Sequence, residues 1–300
     1  MDAVMFPGQG SQKPGMGSPW AVTPSWSVIN TVSEILKTDV AGLLLDADAP
    51  TLQTTQNAQV AAFALGLVLL DAAAAAGLRW DAAAGHSLGE YTALVAAGVL
   101  SIEDATQLVG ERAKAMQRAA DADPGTMRAV IGLDIDAVEE CCEAADGSAW
   151  VANDNAPGQV VVAGTHDGVA TATAAAKDRG AKVLELSVGG AFHSPLMRPA
   201  QEDLDLALGK APFADARVPV VANVDAQAHL AHQEWRPLLS AQLCSRVRWR
   251  ESVLRLADLG VSRVIELGPG GVLSGMVKRI APDLQRVAVG TPAELDDANR

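Results

Sequence analysis

The chain has 300 residues, 49% hydrophobic and 20% charged, with a net charge of −13. That is enough apolar sequence for one large domain or a domain carrying an insertion, and it excludes a disordered chain. The acidic balance argues against nucleic-acid binding, which needs a basic face.

Cys141, Cys142 and Cys244 are odd in number, two are adjacent and none has metal-ligand spacing, so neither a disulfide framework nor a metal site is expected. The N-terminus reaches Pro7-Gly8 too soon for a signal peptide, and Asp2 has the wrong sign for a basic leader. A cytoplasmic protein with no membrane contact is expected.

In chain order, Ala3 to Phe6 reads as a first strand that empties into Pro7-Gly8-Gln9-Gly10-Ser11-Gln12, where glycines let backbone amides approach a ligand. Gly10 and Gly15 stand at phosphate-loop spacing, but Met16 occupies the place of the lysine, so a nucleotide loop is not expected. Val60 to Leu70 is the longest apolar run. It stops at Asp71, short of the ~20 residues that span a bilayer, and reads as a buried core helix.

Leu78 to Ala84 leads into Gly85-His86-Ser87-Leu88-Gly89-Glu90, and the run from Glu90 to Gly98 is helical. A serine between two glycines at a strand-to-helix turn is the nucleophile-elbow pattern, in which strained dihedrals lift the Ser87 hydroxyl above the sheet edge. The plainer reading is a serine cap at an ordinary turn.

Ser101 and Asp104 open the next helix as a capping box, and it runs to about Ala119. Arg112 lies four residues after Leu108 and four before Met116, on the inward face. A guanidinium there is costly unless an anion meets it. It is either half of a structural salt bridge, which the pattern alone favours, or the receptor for an anionic substrate.

Residues 121–188 change character. Met127 to Leu133, Ala149 to Ala152, Gln159 to Ala163 and Lys182 to Val188 read as strands, with helices over Asp136 to Ala145 and Gly168 to Arg179. This βαββαβ order is a ferredoxin-like unit. The expected fold is α/β: an α/β-hydrolase-like subdomain with a parallel sheet, from residues 1–120 and 189–300, carrying a ferredoxin-like subdomain of residues 121–188. A cleft between two such lobes is a natural ligand site. Val218 to Val224 and Arg263 to Leu267 supply further strands, Gly268-Pro269-Gly270-Gly271 a tight turn, and Glu294 to Arg300 a frayed polar tail.

A serine nucleophile needs a base, and five histidines are available. His86 adjoins Ser87 and points away from it, His166 begins a helix of the inserted unit, and His229 and His232 lie in a polar connection where metal binding is weakly supported. His193, in Gly190-Ala191-Phe192-His193-Ser194, stands where the insertion rejoins the main domain and borders the cleft.

Phe6-Pro7-Gly8-Gln9-Gly10-Ser11-Gln12, Gly85-His86-Ser87-Leu88-Gly89-Glu90, Ala191-Phe192-His193-Ser194 and Glu266-Leu267-Gly268-Pro269-Gly270 occur in the order of the four signatures of malonyl-CoA:acyl carrier protein transacylases, which the chain resembles. Asn153 to Gln159 and Gln242-Leu243 extend the similarity over about residues 3 to 290. The resemblance implies a ping-pong malonyl transfer from coenzyme A, for fatty-acid or polyketide synthesis. Ser87 would carry the acyl group, His193 would be base and then acid, and the backbone amides of Gln9 and Leu88 would form the oxyanion hole. A backbone carbonyl at Gln242 would orient the imidazole in place of a third carboxylate. Arg112 would pair with the malonyl carboxylate, which reverses the preference for a structural bridge.

Ala191-Phe192-His193 departs from the Pro-Ser-His of many fatty-acid-synthesis members and is similar to malonyl-selective acyltransferases of polyketide assembly lines. Phe192 would therefore crowd the acyl α-carbon and favour malonyl over methylmalonyl. A shortened segment around Asp46 to Gln53 is a second departure.

The implied partners are malonyl-CoA and an acidic acyl carrier protein, met by Arg246, Arg248 and Arg250 or by Lys278 and Arg279. Coenzyme A enters as substrate, no cofactor or metal is implied, and a monomer is expected. The nearest alternatives are a freestanding acyltransferase of a polyketide synthase and the malonyl-loading subunit of malonate decarboxylase. From another class, a serine esterase shares the elbow, but its order Ser, Asp, His places the histidine late.

Overall fold

The computed structural model describes residues 1–298. The described residues form two sheets. The larger has the order β10-β9-β1-β2-β7-β8, built from β1 (Asp2–Phe6), β2 (Ala82–Gly85), β7 (Val220–Val221), β8 (Ala228–His229), β9 (Arg263–Leu267) and β10 (Gln285–Val289). All of its neighbours pair in parallel except β8, which returns antiparallel to β7. The smaller sheet, β3 (Thr126–Ile131), β4 (Ala149–Ala156), β5 (Gln159–Gly164) and β6 (Lys182–Glu185), has the order β4-β5-β3-β6 and is antiparallel throughout. With helices over Ile135–Glu143 and His166–Asp178, this is a split βαββαβ unit.

Strand alternation explains the layering of the large sheet. Val4 and Phe6 of β1 join the apolar cluster on one face, and Ala3 and Met5 join a separate cluster with Trp249 and Val253 on the other. The small sheet has its own core around Val130, Val160 and Val162.

The helix Thr55–Ala75 continues through exposed Asp71, so the apolar run is longer than the sequence break suggested. Its 21 residues and hydropathy of 1.9 are long and apolar enough to cross a membrane, yet 72% of that window is buried inside the protein. It is a core helix packed beside the large sheet.

Three expectations are corrected. The strand expected over Val218 to Val224 shrinks to Val220–Val221, because the next backbone groups are claimed elsewhere: Ala222 bonds to Gln227, and Asn223 N–H donates to Glu90. The strand expected from Lys182 to Val188 ends at Glu185. The tail is helical over Pro292–Ala298, since Leu295 and Ala298 are buried and Glu294 accepts from Gly290 N–H and the Thr291 hydroxyl. Residues 299 and 300 of that expectation lie outside the described residues. The strands β8 and β10 have no counterpart in the sequence reading.

Candidate active site

The elbow stands at the C-terminal end of β2. Ser87 has φ +53, in the left-handed region that side chains avoid. Its flanking glycines are required by close approach: a Cβ on Gly85 would lie 2.0 Å from Gly89 O, and one on Gly89 would lie 2.0 Å from Phe6 O. A Cβ on Gly8 would meet His86 O at 2.4 Å, so the loop after β1 rests directly on the elbow. The Asn223 side chain pins the turn, accepting from Ser87 N–H at 2.7 Å and donating to Gly85 O at 2.7 Å.

His193 also has positive φ, +58, and is 5% exposed. Its Nε2 lies 2.8 Å from Ser87 Oγ, and its Nδ1 lies 2.9 Å from Gln242 O. Gln242 ends the helix Trp235–Gln242, where carbonyls lack an intrahelical partner. A carbonyl only accepts, so Nδ1 carries the proton and Nε2 is free to accept the Ser87 hydroxyl. Among the described residues no Asp or Glu bonds the imidazole, which sets the site apart from the triad of a serine esterase. Burial and the Arg112 charge push the His193 pKa down to about 3, so the ring is neutral and able to take a proton.

Arg112, on the helix Ile102–Ala122, is 1% exposed. One guanidinium nitrogen donates to Ser87 Oγ at 3.1 Å and to Gln242 Oε1 at 3.0 Å, and the other donates to Gln59 Oε1. Its Nε has no hydrogen-bond partner among the described residues, and its Cζ lies 5.6 Å from the centre of the Tyr91 ring. The structural salt bridge that the pattern favoured does not form: Arg112 makes no ion pair with a carboxylate among the described residues. It is a buried cation held by neutral amides beside the Ser87 hydroxyl.

The backbone N–H groups of Gln9 and Leu88 have no hydrogen-bond partner among the described residues. Gln9, Ser87, Phe192 and His193 line one cleft of about 200 Å³ between the two sheets. Its apolar walls include Met127 and Val161 from the small sheet and Met276 from the helix Val272–Ile280. The shortened segment lies next door: Ala49, Leu52 and Gln53 line a second hollow that shares Gln9 and Gly10 with the cleft.

Other candidates are not brought here. His166 lies at a helix start, and His229 and His232 bond different carboxylates, Asp225 and Asp215. Arg246, Arg248 and Arg250 do not present free charge, since each faces an acid: Glu139, Glu251 and Asp154. Lys278 has no ion-pair partner among the described residues, and Arg279 bonds only the neutral oxygens of Gln159 and Pro157.

Two site residues, Gln59 and Asn223, escaped the sequence reading, and two more, Glu90 and Asn155, stood in its motifs without a role. Asn155 bonds His86 Nε2 at 2.8 Å. Gln59 carried a usable signal, an amide inside an apolar helix, and is fully buried.

The chain matches the acyl transferase domain family over residues 4–291. It is 40% identical over 300 residues to a malonyl CoA-acyl carrier protein transacylase of Bacillus subtilis, covering 98% of this chain and 95% of that one. Among solved structures, an acyl-carrier-protein S-malonyltransferase from Burkholderia pseudomallei superposes with a TM-score of 0.96 at 40% identity, covering 99% of each chain. A malonyl-transacylase solved in complex with its type II PKS acyl-carrier protein gives a TM-score of 0.95 at 38% identity, over 99% of this chain and 98% of that one. The chain belongs to the acyl transferase family and, within it, to the malonyl CoA-acyl carrier protein transacylases.

Proposed function

We propose that this enzyme moves a malonyl group from coenzyme A, through an ester on Ser87, to the phosphopantetheine thiol of an acyl carrier protein of fatty-acid or polyketide synthesis. The carrying observation is the buried Arg112 beside Ser87 Oγ, with amide oxygens where an ion-pair partner would stand. A malonyl carboxylate is two carbon–carbon bonds from the reacting carbonyl, about 2.5 Å, so a cation this close to Oγ is within its reach.

In the first half-reaction Ser87 Oγ attacks the thioester carbonyl while its proton passes to His193 Nε2. The oxyanion is met by the N–H groups of Gln9 and Leu88. Collapse breaks the C–S bond, and the coenzyme A thiolate takes the proton from the imidazolium. In the second half-reaction the carrier thiol gives its proton to His193 and attacks the Ser87 ester, and Ser87 leaves with that proton. Gln242 O supports the imidazolium that forms at each step. The reaction needs no resident cofactor, because the thioester already activates the acyl group.

Arg112 receives the carboxylate, and Phe192, 4% exposed and on the cleft wall, restricts the α-carbon. An uncharged acetyl group would leave the buried cation unpaired, which supports malonyl selectivity. Carrier docking is assigned to Lys278 and Arg279, whose helix also lines the cleft through Met276. We propose a monomeric working unit in the cytoplasm. Transfer of labelled malonyl from coenzyme A to a purified carrier protein tests the reading; malonyl-CoA turned over only by hydrolysis would overturn it.

A further inference from the structure

This inference rests on Arg112 as the receptor of the acyl carboxylate. Near Arg112 within the site stands Glu90, 1% exposed, on the helix that follows the elbow. Glu90 does not bond the arginine. It meets the far end of the Gln242 side chain instead: Gln242 Nε2 donates to Glu90 Oε2 and, at 2.9 Å, to Ser87 O. The other Glu90 oxygen accepts from Asn223 N–H at 3.1 Å.

Both groups facing Glu90 are N–H donors, so the carboxyl serves as acceptor on both oxygens, as the ionised form does. Burial pushes its pKa up to about 8 even with these donors and the Arg112 charge opposing the rise, and in either protonation state an oxygen remains to accept from Gln242. Because the Gln242 amino group is spent on Glu90 and Ser87 O, its oxygen is turned to Arg112. The reverse orientation would set donor against donor at the arginine and acceptor against acceptor at Ser87 O.

The acid thus meets Arg112 only through an amide dipole and stays off the guanidinium. A direct arginine–carboxylate pair would be stronger, and it would occupy the N–H groups that an incoming carboxylate needs. Neutral amide oxygens hold the cation in place and yield to a charged ligand.

We propose that Glu90 is a specificity-positioning residue: one amide away from Arg112, it holds Gln242 with its oxygen toward the arginine, which stays free of a direct carboxylate pair and open to an acyl carboxylate.

The test compares the rates of Ser87 acylation by malonyl-CoA and acetyl-CoA within each enzyme preparation, so that the folded fraction cancels in their ratio. Glu90→Gln replaces one acceptor oxygen by an amino group, which sets donor against donor at Gln242 or at Asn223 N–H, and should lower the malonyl-to-acetyl ratio about 10²-fold. The charge swap Glu90→Gln with Gln242→Glu keeps the total charge and a hydrogen-bonded pair but sets a carboxylate on Arg112. Its ratio should fall at least as far. A wild-type ratio in Glu90→Gln, or one restored by the swap, would overturn the proposal and leave Glu90 a structural acid.

Arg112→Ala separates this from the underlying reading. An unchanged ratio in Arg112→Ala removes the arginine as carboxylate receptor, and the inference falls with it. A ratio that collapses in Arg112→Ala but holds in the Glu90 variants removes the Glu90 inference alone.

Discussion

Ser87 Oγ and Arg112 share a hydrogen bond of 3.1 Å, so the elbow hydroxyl and a buried cation belong to one site. The same hydroxyl lies 2.8 Å from His193 Nε2, and Gln242 serves both partners, through its backbone carbonyl for the histidine and its side-chain oxygen for the arginine. The proposed base and the proposed acyl receptor are therefore linked through a single residue.

The base has a pH signature. Because His193 is held neutral down to about pH 3, kcat/KM should show no titration near 6.5, the ordinary imidazole value. The folded pKa is depressed, so the ring's contribution to stability is full above 6.5 and is lost as pH falls toward 3. The stability of the wild type relative to His193→Asn should accordingly decline over that window in denaturant titrations. A free-enzyme step at 6.5, or a difference independent of pH, would contradict the assignment.

Phe192 is expected to set the size limit at the acyl α-carbon. Phe192→Ser should shift the malonyl-to-methylmalonyl preference by about 10-fold or more, in line with the worth of one methyl group in a tight apolar pocket. A competition assay with both thioesters reads this, and unchanged selectivity would remove the steric role.

Gly89→Ala should destabilise the protein by about 3 kcal/mol or more, because the new Cβ would sit 2.0 Å from the Phe6 carbonyl oxygen. Gly275→Ala is the control: among the described residues nothing lies within 4 Å of where its methyl would stand, and a helical alanine there should be neutral or slightly stabilising. Thermal melts of the two variants decide it; equal melting temperatures would mean that the elbow is not as tight as its geometry requires.

Carrier recognition should depend on the cations that lack ion-pair partners. Lys278→Glu and Arg279→Glu should raise KM for the carrier protein and flatten its salt dependence, with kcat for malonyl loading kept. Arg248→Glu should do less, because Arg248 already faces Glu251. Equal effects at both places would return the docking surface to the arginine cluster.

What could be read from the sequence follows the same physics. The elbow was legible because a Cβ on Gly85 or Gly89 would lie within 2.5 Å of backbone atoms, a constraint that leaves a mark in residue type. The βαββαβ order was legible because three of its strands, Thr126–Ile131, Ala149–Ala156 and Gln159–Gly164, run six to eight residues. β10 was not, since its residues from Gln285 to Ala288 are partly exposed, which blurs the alternation of a strand. The tail was misread because two apolar contacts, Leu295 and Ala298, order a segment that is polar on average. Arg112 shows the limit most clearly: its burial was visible in the helical period, but its partners, Gln59 and Gln242, come from distant segments. Only the resemblance pointed to the carboxylate.

The most direct measurement is the intact mass of the protein after brief exposure to malonyl-CoA or acetyl-CoA, beside Ser87→Ala and Arg112→Ala. The account expects one malonyl adduct on the wild type, none on Ser87→Ala, and on Arg112→Ala a malonyl preference over acetyl reduced about 10²-fold or more. A malonyl adduct that persists in Ser87→Ala, or no acyl adduct on the wild type with either donor, would contradict it.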